Sequence, residues 1–292
     1  MYDTTTRHAS PAKARAFLRL LRPRQWLKNA FVLAPLMFTA SFLDPDSLYK
    51  AFFAAFLFCL VSSSVYIVND LHDVEADRQH PEKAARRPLA SGAVPKKAAF
   101  CLLGFLTALL AVGCLFLPDV IPAIVAYALL NLAYTFVLKN LPVVDIFSIA
   151  SGFVLRVLAG ADALDVPLSS WMFITSLCLA LFLAAVKRRQ ELAQSGADGR
   201  EVLKKYSVAL IDRYAEMSAT GALVFYSLFV VSSRPQLAVT VPLVLFGLFR
   251  YWYVVETLDG GESPTEALLS DAMLFLTVFL WIVACVWALW PG

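Results

Sequence analysis

No part of this 292-residue chain is polar over a long enough stretch to fold as a sizeable water-soluble domain. Disulfide chemistry is equally poorly supplied. The five cysteines, Cys59, Cys101, Cys114, Cys178 and Cys285, all lie in apolar runs, none forms a C-x-x-C pair, and an odd number argues against a complete disulfide framework. The first sixteen residues are polar and basic and lack the short apolar core and small-residue cleavage site of a signal peptide, so the N-terminus is expected to be retained. What the chain has instead is hydrocarbon: 60% of its residues are apolar and its mean hydropathy is +0.69, well above an ordinary soluble domain. The composition is that of an integral membrane protein.

Apolar stretches near the length of a bilayer crossing recur along the whole sequence. They predict an all-α, polytopic fold of about nine transmembrane helices, at roughly 25–43, 48–68, 98–117, 120–138, 143–161, 168–186, 214–233, 236–256 and 268–290. Residues 1–292 read as a single transmembrane domain, preceded by a basic segment over 1–20.

Lys and Arg fall almost entirely on one side of that topology. Arg7, Lys13, Arg15, Arg19, Arg22, Arg24 and Lys28 lie in or beside the N-terminal tail, followed by Arg78, Lys83, Arg86, Arg87, Lys96, Lys97 and Lys139. Lys187, Arg188, Arg189, Arg200, Lys204, Lys205, Arg213 and Arg250 share that side, whereas the opposite loops hold only Lys50 and Arg234 beside Asp44, Asp46, Asp119, Asp162 and Asp165. The basic side is therefore expected to be cytoplasmic. The net charge of +3 averages two unlike faces and gives no ground for a nucleic-acid partner.

The segment Asn69–Asp77, N-D-L-H-D-V-E-A-D, places four acids within nine residues at the end of a membrane-length apolar run. On a continuing helix Asp70, Asp73 and Asp77 occur at i, i+3 and i+7 and share one face. Carboxylates crowded in this way raise one another's pKa unless a cation neutralises them, and a Mg²⁺ ion does so while presenting its far side to a diphosphate. The plain alternative is a solvated helix end, which a single Asp would satisfy. His72 points to another face and reads as a loop residue.

Basic groups on the same side are candidate phosphate ligands. Arg86-Arg87 precede a Pro88–Gly92 turn that should resist helix formation, and an Arg pair can hold phosphate bidentately, although topology alone would also account for it. Tyr134 and Lys139 flank the end of the fourth span, where an interfacial Tyr and a snorkelling Lys are commonplace. Lys187, Arg188 and Arg189 close the sixth span. At the first, Trp26 reads as an interface anchor, and Lys28 could reach a cavity mouth or merely snorkel. Arg156 lies near mid-membrane, three turns beyond Asp145, and a charge at that depth requires a polar cavity or a partner.

Together these residues resemble the UbiA-type superfamily of intramembrane transferases, whose N-D-x-x-D-x-x-x-D signature is matched by Asn69, Asp70, Asp73 and Asp77. The resemblance spans essentially the whole chain and implies helices around a central cavity facing the cytoplasm. Most members move a prenyl group from a prenyl diphosphate to an aromatic acceptor, with a second D-x-x-x-D motif after the sixth span. Here that place holds K-R-R-Q-E-L. Together with R-P-R-Q-W-L-K-N near the start, it is similar to the decaprenyl-phosphate phosphoribosyltransferase branch.

That branch implies Mg²⁺-dependent transfer of 5-phosphoribosyl from phosphoribosyl pyrophosphate to a polyprenyl phosphate, in a bacterial inner membrane with the site on the cytoplasmic side. Asp70, Asp73 and Asp77 would hold the metal and Asn69 would position the pyrophosphate. Arg86, Lys139, Lys187, Arg188 and Arg189, with Lys28, Tyr134 and Arg156, would be candidates for the substrates. Two alternatives stay open: prenyl transfer to a small acceptor of the quinone or haem type, and a transporter, against which stands the crowding of charge at one face. Apolar span faces can meet lipid or a second copy in a homo-oligomer.

Overall fold

Long apolar segments without internal proline have one outlet in a bilayer, which is to satisfy their backbone within a helix. The computed structural model describes residues 11–79, 81–195, 201–257 and 264–290, and among these residues every regular element is helical. Seven helices are long and apolar enough to cross a membrane. The chain packs as two compact units, one of residues 1–27 and 56–116, the other of 28–55 and 117–292. Of the basic N-terminal segment, residues 1–10 with Arg7 lie outside the described residues, as does Arg200.

The first unit opens with α1 (Pro11–Leu21), an amphipathic helix that buries Ala16 and Leu20 and exposes Arg15 and Arg19. Its end is tied to α3 (Pro45–His72): Ser63 Oγ donates to the Leu21 carbonyl at 2.9 Å and accepts from Trp26 Nε1 at 3.0 Å. At 28 residues α3 is about 42 Å long, more than the hydrocarbon core needs, so its polar last turn with Asn69 and Asp70 can reach the interface. After α4 (Val74–Arg78) and α5 (Pro81–Arg86) the chain turns, and α6 (Lys96–Phe116) follows. α6 leaves Phe100, Phe105, Leu115 and Phe116 exposed, as suits a helix whose outer face meets lipid.

The second unit is organised by α8 (Val144–Ala163), which buries a larger share of its length than any other spanning helix. It packs on α7 (Ile121–Phe136) and on α9 (Ser170–Ser195), which in turn runs beside α10 (Val208–Ser233). α11 (Val241–Thr257), α12 (Pro264–Ser270) and α13 (Ala272–Ala288) complete it. Phe182, Val186, Leu203, Ile211 and Tyr251 belong to one buried cluster spanning α9, α10 and α11.

Among the described residues nine continuous spans are not found. Residues 25–43 form a 3₁₀ helix (Pro23–Leu33), then α2 (Ala34–Phe38), then a turn at Ala40, whose φ is 61°. Pro35 lacks the N–H that would continue an α-helix, and Asn29 and Val32 of the 3₁₀ segment are buried, so its irregular backbone is covered by protein. Gly160 of α8 lies directly against this segment: a Cβ there would stand 1.9 Å from the Val32 carbonyl oxygen. The last expected span contains α13, apolar but only 17 residues long.

Candidate active site

In the first unit the acidic signature sits at the seam between α3 and α4. The expected unbroken helix is interrupted at Asp73, whose φ of −87° and ψ of 2° leave the helical well. A short carboxylate that bonds locally favours such a break, and Asp73 Oδ1 lies 2.8 Å from His72 Nδ1. The i→i+4 ladder survives around it, with Asp73 N–H donating to Asn69 O at 2.9 Å and Asp77 N–H to Asp73 O at 2.8 Å.

Asp70 and Asp77 are buried, with 2% and 4% of their surface exposed. Both accept from Nη1 of Arg87, Asp70 Oδ1 at 3.3 Å and Asp77 Oδ2 more closely, and Asp70 Oδ1 also accepts from Arg22 Nη2 at 2.5 Å. Arg22 takes a positive φ of 53°, and its guanidinium carbon lies over the Tyr66 ring, 4.9 Å from the ring centroid. Arg87 comes from the turn before α6, where the Val94 N–H closes on Pro88 O at 3.0 Å and Gly92 takes φ 76°. The turn expected over Pro88–Gly92 is therefore present, and it is Arg87 rather than its exposed neighbour Arg86 that meets the carboxylates.

Glu75, the fourth acid, is exposed and faces away from this cluster. Hydrogen bonding from Lys96 at 3.1 Å and the charge of Arg78 hold its carboxyl below the usual range. Among the described residues no three acidic, His or Cys side chains are gathered closely enough to hold a metal ion. Two of them nevertheless share one cationic nitrogen, so a compact cation at that point would find a carboxylate oxygen on either side. The donors are hard oxygens, which suits Mg²⁺. Asp73 would have to turn from His72 to become a third ligand.

In the second unit the basic residues divide sharply. Arg188 is fully buried and committed: its Nε donates to Asp145 Oδ2 at 2.6 Å, its Nη2 to Tyr134 OH at 2.5 Å, and its Nη1 to Glu191. Arg189 pairs with Asp212 at 2.7 Å and with Glu256. Arg156 donates to Asn29 Oδ1 at 2.8 Å, to the Gly152 carbonyl at 2.7 Å and to Tyr127 OH at 3.0 Å, which makes it a strut between α8, α7 and the 3₁₀ segment. Lys28, Lys139 and Lys187 remain partly exposed, Lys187 with Glu191 at 3.8 Å. Arg156, Arg188 and Arg189 are thus each held by named protein partners, while Lys28, Lys139 and Lys187 keep part of their surface exposed. Arg22 entered the sequence reading only as one of the topology charges, and Arg87 only as half of the Arg86-Arg87 pair; its contact with both carboxylates had no separate signal.

The UbiA prenyltransferase family matches residues 30–270. A decaprenyl-phosphate phosphoribosyltransferase of Mycolicibacterium smegmatis is 36% identical over 286 residues, covering 91% of this chain and 89% of that protein. One of Corynebacterium glutamicum is 33% identical over 304 residues, covering 99% and 91%. Among solved structures, a UbiA homologue from Archaeoglobus fulgidus bound to GPP and Mg²⁺ superposes with a TM-score of 0.73 at 19% identity, over 94% of this chain and 99% of that one. At that identity the likeness is one of fold.

Proposed function

The chain belongs to the UbiA prenyltransferase family, and from that premise we propose that it transfers 5-phosphoribosyl from phosphoribosyl pyrophosphate to a polyprenyl phosphate, releasing pyrophosphate. It is a multi-pass membrane protein with seven membrane-length helices among its described residues. In this reading the membrane is a bacterial inner membrane and the site opens to the cytoplasm. The observation that carries the reading is the make-up of α9. Where the superfamily resemblance calls for a second pair of metal-binding acids, this helix bears Lys187, Arg188 and Arg189, with Glu191 spent on Arg188. Two diphosphate-metal sites have no support, whereas one such site plus a cationic site for a phosphate has.

Asp70 and Asp77, with Asp73, are the residues that would hold Mg²⁺, and Asn69 would orient the pyrophosphate. The ion would supply neutralisation of the charge that gathers on the leaving group. Arg22 and Arg87, released from the carboxylates, can donate to the same phosphate oxygens, and Arg86 stands next to Arg87 in the chain. Lys28, Lys139 and Lys187 would hold the phosphate of the lipid acceptor, whose prenyl tail leaves laterally into the bilayer. The anomeric C–O bond breaks with its electron pair going to pyrophosphate, and a lipid phosphate oxygen forms the new bond. That oxygen is ionised at neutral pH and needs no general base, so orientation and charge neutralisation supply the catalysis.

Mass spectrometry of the lipid product tests this. Purified protein with Mg²⁺ is given either phosphoribosyl pyrophosphate and polyprenyl phosphate, or a prenyl diphosphate and an aromatic acceptor. A phosphoribosylated lipid from the first pair supports the reading; a prenylated aromatic from the second pair alone replaces it with prenyl transfer.

A further inference from the structure

The turn that carries Lys139 is backbone under strain. α7 ends at Phe136, a 3₁₀ turn spans Leu138–Asn140, and Val143 then takes φ 69° and ψ −47° before α8 begins. A β-branched residue at positive φ is a steric outlier that costs about 1–3 kcal/mol and persists only where its surroundings impose it. No side chain within the turn caps α8 at Val143. The partner comes from 63 residues away: Tyr206 OH accepts from the Val143 N–H at 2.5 Å and donates to Asp145 Oδ1 at 2.7 Å.

Tyr206 is itself rigidly placed. Val202 and Leu203 before it are buried in the α9–α10–α11 cluster, its own N–H donates to Leu203 O at 3.1 Å, and Ser207 after it caps α10 by accepting from the Leu210 N–H. Burial and the Asp145 carboxylate push the Tyr206 hydroxyl above the usual phenol range, so it keeps the proton it donates. The other oxygen of Asp145 takes Arg188, which also holds Tyr134 and Glu191, the neighbour of Lys187. One buried chain of hydrogen bonds therefore links both ends of the Lys139 turn to the helix that bears Lys187.

We propose that Tyr206 is a positioning residue: its hydroxyl latches the strained Val143 turn and so holds Lys139 in register with Lys187 for the acceptor's phosphate. The proposal rests on the reading that these lysines receive that phosphate. It assigns Tyr206, Asp145 and Arg188 to alignment and not to contact with either substrate. Phosphoribosyl pyrophosphate, met by the acidic site of the other unit, should be bound equally well with or without the latch.

Tyr206→Phe removes the acceptor and donor while keeping the ring, and Val143→Gly removes the strain the latch sustains, since glycine adopts φ 69° freely. Both changes are made in the full chain in lipid nanodiscs. The phenylalanine variant should raise KM for polyprenyl phosphate about tenfold, the effect of one hydrogen bond of about 1.4 kcal/mol. KM for phosphoribosyl pyrophosphate should stay within twofold, and amide exchange over residues 138–145 should quicken. Adding Val143→Gly should recover most of the lost acceptor affinity.

Unchanged exchange over 138–145, or an unchanged acceptor KM despite faster exchange, overturns the proposal. So does a rise in both KM values that tracks a fall in the melting midpoint, because that marks general destabilisation. Failure of the wild type to phosphoribosylate lipid overturns the reading of the reaction instead, and the latch then stands or falls on the exchange measurement.

Discussion

Asp70 and Asp77 owe their importance to what lies between them. A lone buried carboxylate is costly, and both are stabilised here by sharing Nη1 of Arg87, with Arg22 adding a second cation on Asp70. Arg87→Ala should therefore cost more than Arg86→Ala: we expect a loss of about 100-fold or more in transfer rate for the first, as for removal of a donor aimed at developing charge, and under tenfold for the second. Steady-state rates at saturating Mg²⁺ check this. The acidic signature was legible in the sequence because four acids at the end of an apolar run have few uses. Which arginine of a neighbouring pair turns inward was not, because it depends on Pro88 and Gly92 setting the path of a non-helical turn. Nor could sequence show that Arg188, one of three consecutive bases, is buried between Asp145 and Glu191, since that requires Asp145 to arrive from a helix 43 residues away.

Helices were legible from their apolar length, their interruptions less so. Asp73 breaks α3 from α4, and Pro35 with the buried Asn29 replaces a first spanning helix by 3₁₀ and short α segments, both local effects hidden beneath continuous hydropathy. The close approach of α8 to that segment rests on Gly160. Gly160→Ala would drive a methyl group into the Val32 carbonyl and should destabilise the protein by about 1–3 kcal/mol, the usual cost of overpacking. Gly247→Ala in α11 is the control, because its added Cβ would meet only the Thr277 methyl at 3.7 Å and should leave the thermal midpoint unchanged or raised. Asn29→Ala tests the neighbouring strut. It removes the acceptor for Arg156 Nε, and a loss of about 1–3 kcal/mol measured by thermal unfolding in detergent is the expected cost of that orphaned donor.

At the scale of the whole molecule, the asymmetry of Lys and Arg predicts an orientation that can be tested on the helices. α9 is about 39 Å long, enough to carry the chain from one face of the membrane to the other, with Asp165 before it and Glu201 after it, both exposed. In a cysteine-free background Glu201→Cys should react with an impermeant thiol reagent only from the cytoplasmic side, and Asp165→Cys only from the opposite side. The fold class and family were legible because apolar runs recur along the whole chain and the Asn69–Asp77 motif is specific. The partners that Arg156, Arg188 and Arg189 take were not, because they come from distant helices.

The most direct test of the transfer itself follows the ribose. Phosphoribosyl pyrophosphate labelled in its ribose is mixed with Mg²⁺, polyprenyl phosphate and the purified protein, and both phases are counted after extraction. The label should pass into the lipid phase with one pyrophosphate released per ribose, and chelation of Mg²⁺ should stop it. Label that remains in water while a prenyl diphosphate is consumed by the same preparation would contradict the account.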